Sequence, residues 1–107
     1  MSQSEKAWKH ICKLEEIPRL GSRVVKQAEG DDIAIFRTAD DEVFALHDHC
    51  PHKGGPLSQG IVHGKRVTCP LHPWNIELAS GDAVAPDVGH CGSFSVRLEA
   101  GEVYLQA

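Results

Sequence analysis

The sequence has no apolar run approaching the roughly 20 residues of a membrane helix, so no membrane partner is expected. It has no excess of positive charge either: 11 Lys and Arg stand against 15 Asp and Glu, a net charge of −4. Phosphate backbones are gripped by basic faces, so nucleic acid is not an expected partner. Met1 to Lys6 is polar and lacks the apolar stretch of a secretory signal, which points to a cytoplasmic protein. Internal repeats and low-complexity linkers are missing as well. What is present is ordinary globular material: 107 residues, 41% hydrophobic and 24% charged. That composition excludes wholesale disorder and predicts a single domain over residues 1–107 with one modest core.

Most of the chain reads as short strands punctuated by turns. In Ser93 to Leu105, Phe94, Val96 and Leu98 alternate with Ser95, Arg97 and Glu99. Ala100-Gly101 then reads as a turn, and Val103 and Leu105 alternate with Glu102 and Tyr104. A period of two on both arms predicts a hairpin. Asp32 to Arg37 and Glu42 to His47 flank the turn-like Ala39-Asp40-Asp41 and predict a second one. Arg23 to Gln27, Arg66 to Cys69 and Asn75 to Leu78 are further short strands, and Trp8 to Lys13 opens the sheet. Lys13 to Ile17 is the one helical turn, ended by Pro18, and Ser80-Gly81-Asp82 is a turn signal. This pattern predicts an all-β fold of antiparallel sheets.

Two segments fail the strand test because of their Gly and Pro: Cys50 to Gly60 (CPHKGGPLSQG) and Cys69 to Trp74 (CPLHPW). Both are predicted loops, and both carry Cys and His. Cys50-Pro51-His52 is followed by sixteen residues and then Cys69-Pro70-Leu71-His72. Without an export signal, close Cys and His pairs are better read as metal ligands than as disulfide partners. Two thiolates and two imidazoles suit a tetrahedral zinc ion. They also suit a Rieske [2Fe–2S] cluster, with both Cys on one iron and both His on the other. Zinc knuckles more often pair like with like, whereas here each loop supplies one Cys and one His, which favours the cluster. The candidate ligands are therefore Cys50, His52, Cys69 and His72. No nucleophile–base pair stands out, so no catalytic residue is assigned to the isolated chain.

These two motifs resemble the cluster-binding loops of Rieske proteins, and the resemblance extends over the whole chain. It implies a fold of three stacked antiparallel sheets and one [2Fe–2S] cluster. Within that family the sequence is most similar to the small subunits of assimilatory NAD(P)H-dependent nitrite reductases. HKGGPLSQGIV (His52 to Val62), CPLHPWNIEL (Cys69 to Leu78), GDAVAPDVGHC (Gly81 to Cys91) and the closing VRLEAGEVYL carry that similarity. It implies a large partner subunit holding flavin, siroheme and a [4Fe–4S] cluster, which reduces nitrite to ammonium in nitrate assimilation. The alternative is a free Rieske ferredoxin, donating electrons to an aromatic-ring-hydroxylating dioxygenase. Such ferredoxins share the first two blocks but usually lack the Pro86-Asp87-x-Gly89 stretch. Gly55 and Leu71 stand where high-potential Rieske proteins carry a disulfide, and Pro73 and Trp74 supply neither an N–H nor a hydroxyl there. Those departures imply a potential low in the Rieske range of about −150 to +300 mV.

Of the remaining residues, Cys12 and Cys91 have no His at ligand spacing and read as buried core thiols. His47 and His49 read as a solvated strand end near the cluster. His10, His63 and His90 read as surface residues. Lys53, Lys65 and Arg66 read as a solvated face. Trp74 reads equally as a core residue and as a cover for the cluster.

Overall fold

A computed structural model describes residues 8–26, 32–49, 56–69, 74–84 and 89–106. Nine strands are found among them: β1 (Trp8–Lys13), β2 (Gly21–Val25), β3 (Ile33–Arg37), β4 (Val43–His47), β5 (Ile61–His63), β6 (Arg66–Thr68), β7 (Asn75–Glu77), β8 (Ser93–Glu99) and β9 (Glu102–Gln106). Short 3-10 turns occupy Leu14–Glu16 and Leu57–Gln59. All pairings are antiparallel, as the sequence predicts. The order is β1-β9-β8-β4-β3-β2 in one ribbon and β5-β6-β7 in a smaller sheet. The ribbon is two sheets in practice. Its halves meet only at Ala45 opposite Phe94 and Leu46 opposite Ser93.

The alternation of strand residues builds a three-layer stack around β3. Ile33 and Ile35 face one way, into a core with Cys12, Ala45, Val103 and Leu105. Ala34 and Phe36 face the other way, into a core with Leu46, Leu57, Val62, Val67, Cys69 and Ile76. The β2–β4 half of the ribbon is thus the middle layer, with the β1/β8/β9 half on one side and the β5–β7 sheet on the other. The expected three stacked sheets are present.

Turn chemistry holds the layers in register. Ala100 and Gly101 both have positive φ (52° and 78°), the geometry of a two-residue hairpin turn whose twist matches its strands. Between β3 and β4, Thr38 N–H donates to the Glu42 carbonyl, and Glu42 N–H donates to the Thr38 hydroxyl. Arg37 then ties this hairpin to the 3-10 turn after β1. Its guanidinium donates to the Leu14 and Ile17 carbonyls (3.3 and 2.8 Å) and to Asp41 (3.0 Å). Hydrogen bonding from Arg37 is the largest cause holding the Asp41 carboxyl below its usual pKa, with Arg19 adding to it. A carboxyl whose pKa is lower folded than unfolded stabilises above the unfolded value, and that part is lost as pH falls through the folded value. Acid unfolding below about pH 4 is therefore expected to be shallower in Asp41→Asn than in the wild type, by a modest amount because the carboxyl faces water. Parallel pH–melting curves for the two proteins check this.

Strands β3, β4, β6 and β7 are each one residue shorter than the sequence reading, and other differences are larger. The strand expected at Arg23 to Gln27 begins two residues earlier, at Gly21, because all of Gly21–Val25 pairs with Ile33–Arg37. Gln27 lies outside the described residues. Strand β5 and the 3-10 turn at Leu57–Gln59 fall within or just after the segment expected to be loop.

Candidate metal centre

Of the four candidate ligands, Cys69 is among the described residues; Cys50, His52 and His72 lie outside them. Among the described residues no group of three or more His, Cys, Asp or Glu is placed to hold a metal ion. What can be built from the residues upward is the frame that carries the two ligand-bearing segments.

The second segment grows from β6 and returns into β7. Thr68 pairs with Asn75, and the Cys69 N–H donates to the Trp74 carbonyl at 2.8 Å. The hairpin is therefore closed immediately around 70–73. Cys69 is only 3% exposed, unbridged, and shares a core with Leu57, Val67 and the partly buried Trp74. Trp74 thus packs into the core, one of the two roles expected for it. The first segment is closed by a side chain. Asp48 accepts the Ser58 N–H at 2.7 Å and the Ser58 hydroxyl at 2.9 Å. Ser58 in turn accepts from the Ser22 hydroxyl at 2.8 Å, which anchors this base to β2. The two bases also touch. Gly60 lies so close to β6 that a Cβ there would sit 2.2 Å from the Thr68 carbonyl oxygen.

The other thiols behave as expected. Cys12 is 2% exposed, and burial pushes its pKa up, which keeps it an inert thiol. Cys91 is also buried, and its thiol donates to the His47 carbonyl at 3.2 Å. His10, His63 and His90 are exposed, as expected, but each is engaged: with Glu102, with Thr68 and Asn75, and with Asp82. Lys65 and Arg66 are exposed and pair with Glu42 and Glu77. Lys53 lies outside the described residues.

His47 departs from expectation. Its ring is half-buried, stacked edge-on against Phe94 at 4.8 Å and pressed on Gly92. Its Nδ1 is buried without a hydrogen-bond partner among the described residues. The β4–β8 junction draws it inward, so it is no solvated strand end.

Asp48, Ser58 and Gly60 are the supporting residues that sequence reasoning missed. An Asp two residues before the first Cys is a readable cue; the identity of its partner, ten residues on, is not. A buried, unbridged thiol at the root of a pinned hairpin has the softness and shielding that an iron–sulfur ligand requires. The described part of the site fits such a cluster.

Comparisons with known proteins bear on the rest. A family model of the Rieske [2Fe-2S] domain matches residues 7–95. The chain is 33% identical over 97 residues to the 3-phenylpropionate/cinnamic acid dioxygenase ferredoxin subunit of Photorhabdus laumondii, covering 89% of this chain and 90% of that one. It is 46% identical over 61 residues to the 4beta-methylsterol monooxygenase of Methylococcus capsulatus, covering 55% of this chain but only 16% of that protein. Among solved structures it superposes on the E. coli protein NirD with a TM-score of 0.81 at 25% identity, covering 96% of this chain and 98% of that one. A Mycobacterium tuberculosis chain described as an NADH-dependent nitrite reductase small subunit gives a TM-score of 0.85 at 21% identity, with 97% of each chain covered; it shows the shared fold alone. No helix among the described residues is long and apolar enough to cross a membrane. The chain belongs to the Rieske [2Fe-2S] family, and with that domain goes one Rieske-type cluster and the work of carrying electrons.

Proposed function

We propose that this chain is the cluster-bearing small subunit of a cytoplasmic NAD(P)H nitrite reductase, with Cys50, His52, Cys69 and His72 as the cluster ligands. The observation that carries the reading is the block from Gly81 to Cys91. Its sequence, GDAVAPDVGHC, resembles that of nitrite reductase small subunits and is unlike the usual dioxygenase ferredoxin. In this chain the block leaves and rejoins the fold at one point. Cys91 N–H donates to the Gly81 carbonyl at 2.7 Å, and Asp82 bridges to His90. Gly81 has φ +83°, and a Cβ there would meet the Cys91 carbonyl oxygen at 1.9 Å, so only glycine closes the excursion. The described ends of the block, 81–84 and 89–91, are anchored beside the β5–β7 sheet, where Val84 N–H donates to the Asn75 carbonyl at 2.8 Å, and offer a large subunit a fixed place to dock.

When bound, a Rieske cluster accepts and gives one electron, and its mixed Cys/His ligation makes reduction easier than at an all-Cys cluster. The chain's own contribution is positional. The Asp48–Ser58 and Cys69–Trp74 contacts fix the ends of both ligand-bearing segments. Leu57 shares the core in which Cys69 is buried, and Trp74 packs against it.

The second reading, a free ferredoxin serving a ring-hydroxylating oxygenase, is favoured by the 33% identity to the Photorhabdus ferredoxin subunit. Purification of the tagged chain from its own host separates the two. Retention of a large siroheme protein through gel filtration, with NAD(P)H-dependent nitrite reduction in the same fractions, is the expected result. A chain that elutes alone and instead sustains turnover of an aromatic-ring oxygenase overturns it.

A further inference from the structure

The exposed face of the β5–β7 sheet carries two side-chain rows. Register places His63, Arg66 and Glu77 in one row, and Ile61, Thr68 and Asn75 in the next. The second row lies at the mouth of the 70–73 segment, since Thr68 precedes Cys69 and Asn75 follows Trp74. His63 does not stay in its own row. Arg66 donates to Glu77 there at 3.0 Å, and the His63 ring crosses diagonally to the mouth. Its Nε2 lies 2.7 Å from the Thr68 hydroxyl and 3.1 Å from Asn75 Oδ1, while the Thr68 hydroxyl donates to Asn75 Oδ1 at 2.7 Å.

The donor logic is restrictive. The Thr68 proton is committed to Asn75, so Thr68 Oγ1 must accept, and Nε2 must carry a hydrogen. The neutral Nε2–H tautomer and the imidazolium both supply one. Three strands are thereby joined by side chains at the point where the hairpin ladder stops.

We infer that His63 is a positioning residue: a latch that ties the edge strand β5 across the strand ends flanking residues 70–73 and so steadies Cys69, which follows β6 directly, as a cluster ligand. The inference rests on the proposed ligand role of Cys69. His63 acts through Thr68 and Asn75, its hydrogen-bond partners on those strand ends.

The test uses the loaded wild-type protein and four variants, read by the rate of iron release to a chelator and by the midpoint potential. His63→Leu is expected to release iron about threefold faster, the scale of one solvent-facing hydrogen bond. Thr68→Val is expected to do the same, and the double variant to add little, because both changes open one network. His63→Gln, which restores an N–H donor, is expected to return both rate and potential to the wild-type values. Arg66→Ala removes a comparable contact from the row further from the mouth and is expected to change neither. Unaltered release in His63→Leu, or an equal effect of Arg66→Ala, overturns the latch. Iron content and electron paramagnetic resonance of the wild type test the foundation separately: a wild type without a two-iron centre overturns the ligand assignment and the latch together, whereas an intact centre with unaffected His63→Leu overturns the latch alone.

Discussion

Cys69→Ser is expected to purify almost free of iron, with its sheets folded. Three thiols among the described residues are nearly equally buried: Cys12 at 2%, Cys69 at 3% and Cys91 at 4% exposure. Their burial does not distinguish them, but their positions do. Cys12 lies within β1 and Cys91 donates to a backbone carbonyl, whereas Cys69 follows β6 directly and pairs through its N–H with Trp74, at the start of the segment 70–73. Serine in place of any of them leaves a hydroxyl in an apolar setting, at about 1–3 kcal/mol. Against a typical domain stability of about 5–15 kcal/mol, all three variants should fold. Only at Cys69 is a soft thiolate also lost from the proposed ligand set, and a hydroxyl does not replace it. Iron content and visible absorption should therefore collapse in Cys69→Ser and persist in Cys12→Ser and Cys91→Ser, with similar circular dichroism in all. His72→Ala and His52→Cys should follow Cys69→Ser. Iron retained in Cys69→Ser contradicts the ligand set, and a colourless wild type holding zinc contradicts the cluster.

The readable and unreadable parts of this molecule divide along sequence distance. The β8–β9 hairpin was legible because apolar residues alternate along both arms, partly buried at Phe94 and Val96 and buried at Val103 and Leu105, and the Ala100-Gly101 turn lies between them. Residues Ile33–Phe36 were legible as a strand, but their role as the shared wall of two cores was not, since it depends on what packs on each side. Strand β5 escaped because it has three residues, and its most apolar-looking member faces outward: Ile61 is 70% exposed while Val62 is buried. His47 escaped because its burial is made by Phe94 and Gly92, more than forty residues away. The site shows the same division. Cys and His at short spacing announce their chemistry locally. The contacts that hold the frame, Asp48 with Ser58 and His63 with Thr68 and Asn75, join residues whose pairing exists only after the strands are in register.

Gly60→Ala tests that frame most severely. Gly60 has φ −81° and ψ −179°, an extended backbone that alanine adopts without strain. Any penalty must therefore come from space. An added Cβ would lie 2.2 Å from the Thr68 carbonyl oxygen, 3.0 Å from Val67 Cγ2 and 3.1 Å from the Leu57 carbonyl oxygen. Two of those three neighbours are backbone and cannot swing aside. Relief requires the 56–60 segment to lift from β6, which draws Leu57, fully buried, out of the core it shares with Cys69. Overpacking of this kind costs about 3 kcal/mol, or roughly 10–20 °C of melting temperature for a domain of this size. It also separates the bases of the two ligand-bearing segments, so iron should be lost well below the unfolding transition. Gly64→Ala is the matched control on the neighbouring β5–β6 turn. There φ is +57° and nothing lies within 4 Å, so only backbone strain of about 1 kcal/mol applies. Calorimetry together with the loss of visible absorption on heating should show a large drop and early bleaching for Gly60→Ala, against a few degrees and no early bleaching for Gly64→Ala. Equal behaviour of the two would mean that the close approach of Gly60 to β6 does not hold the segments together.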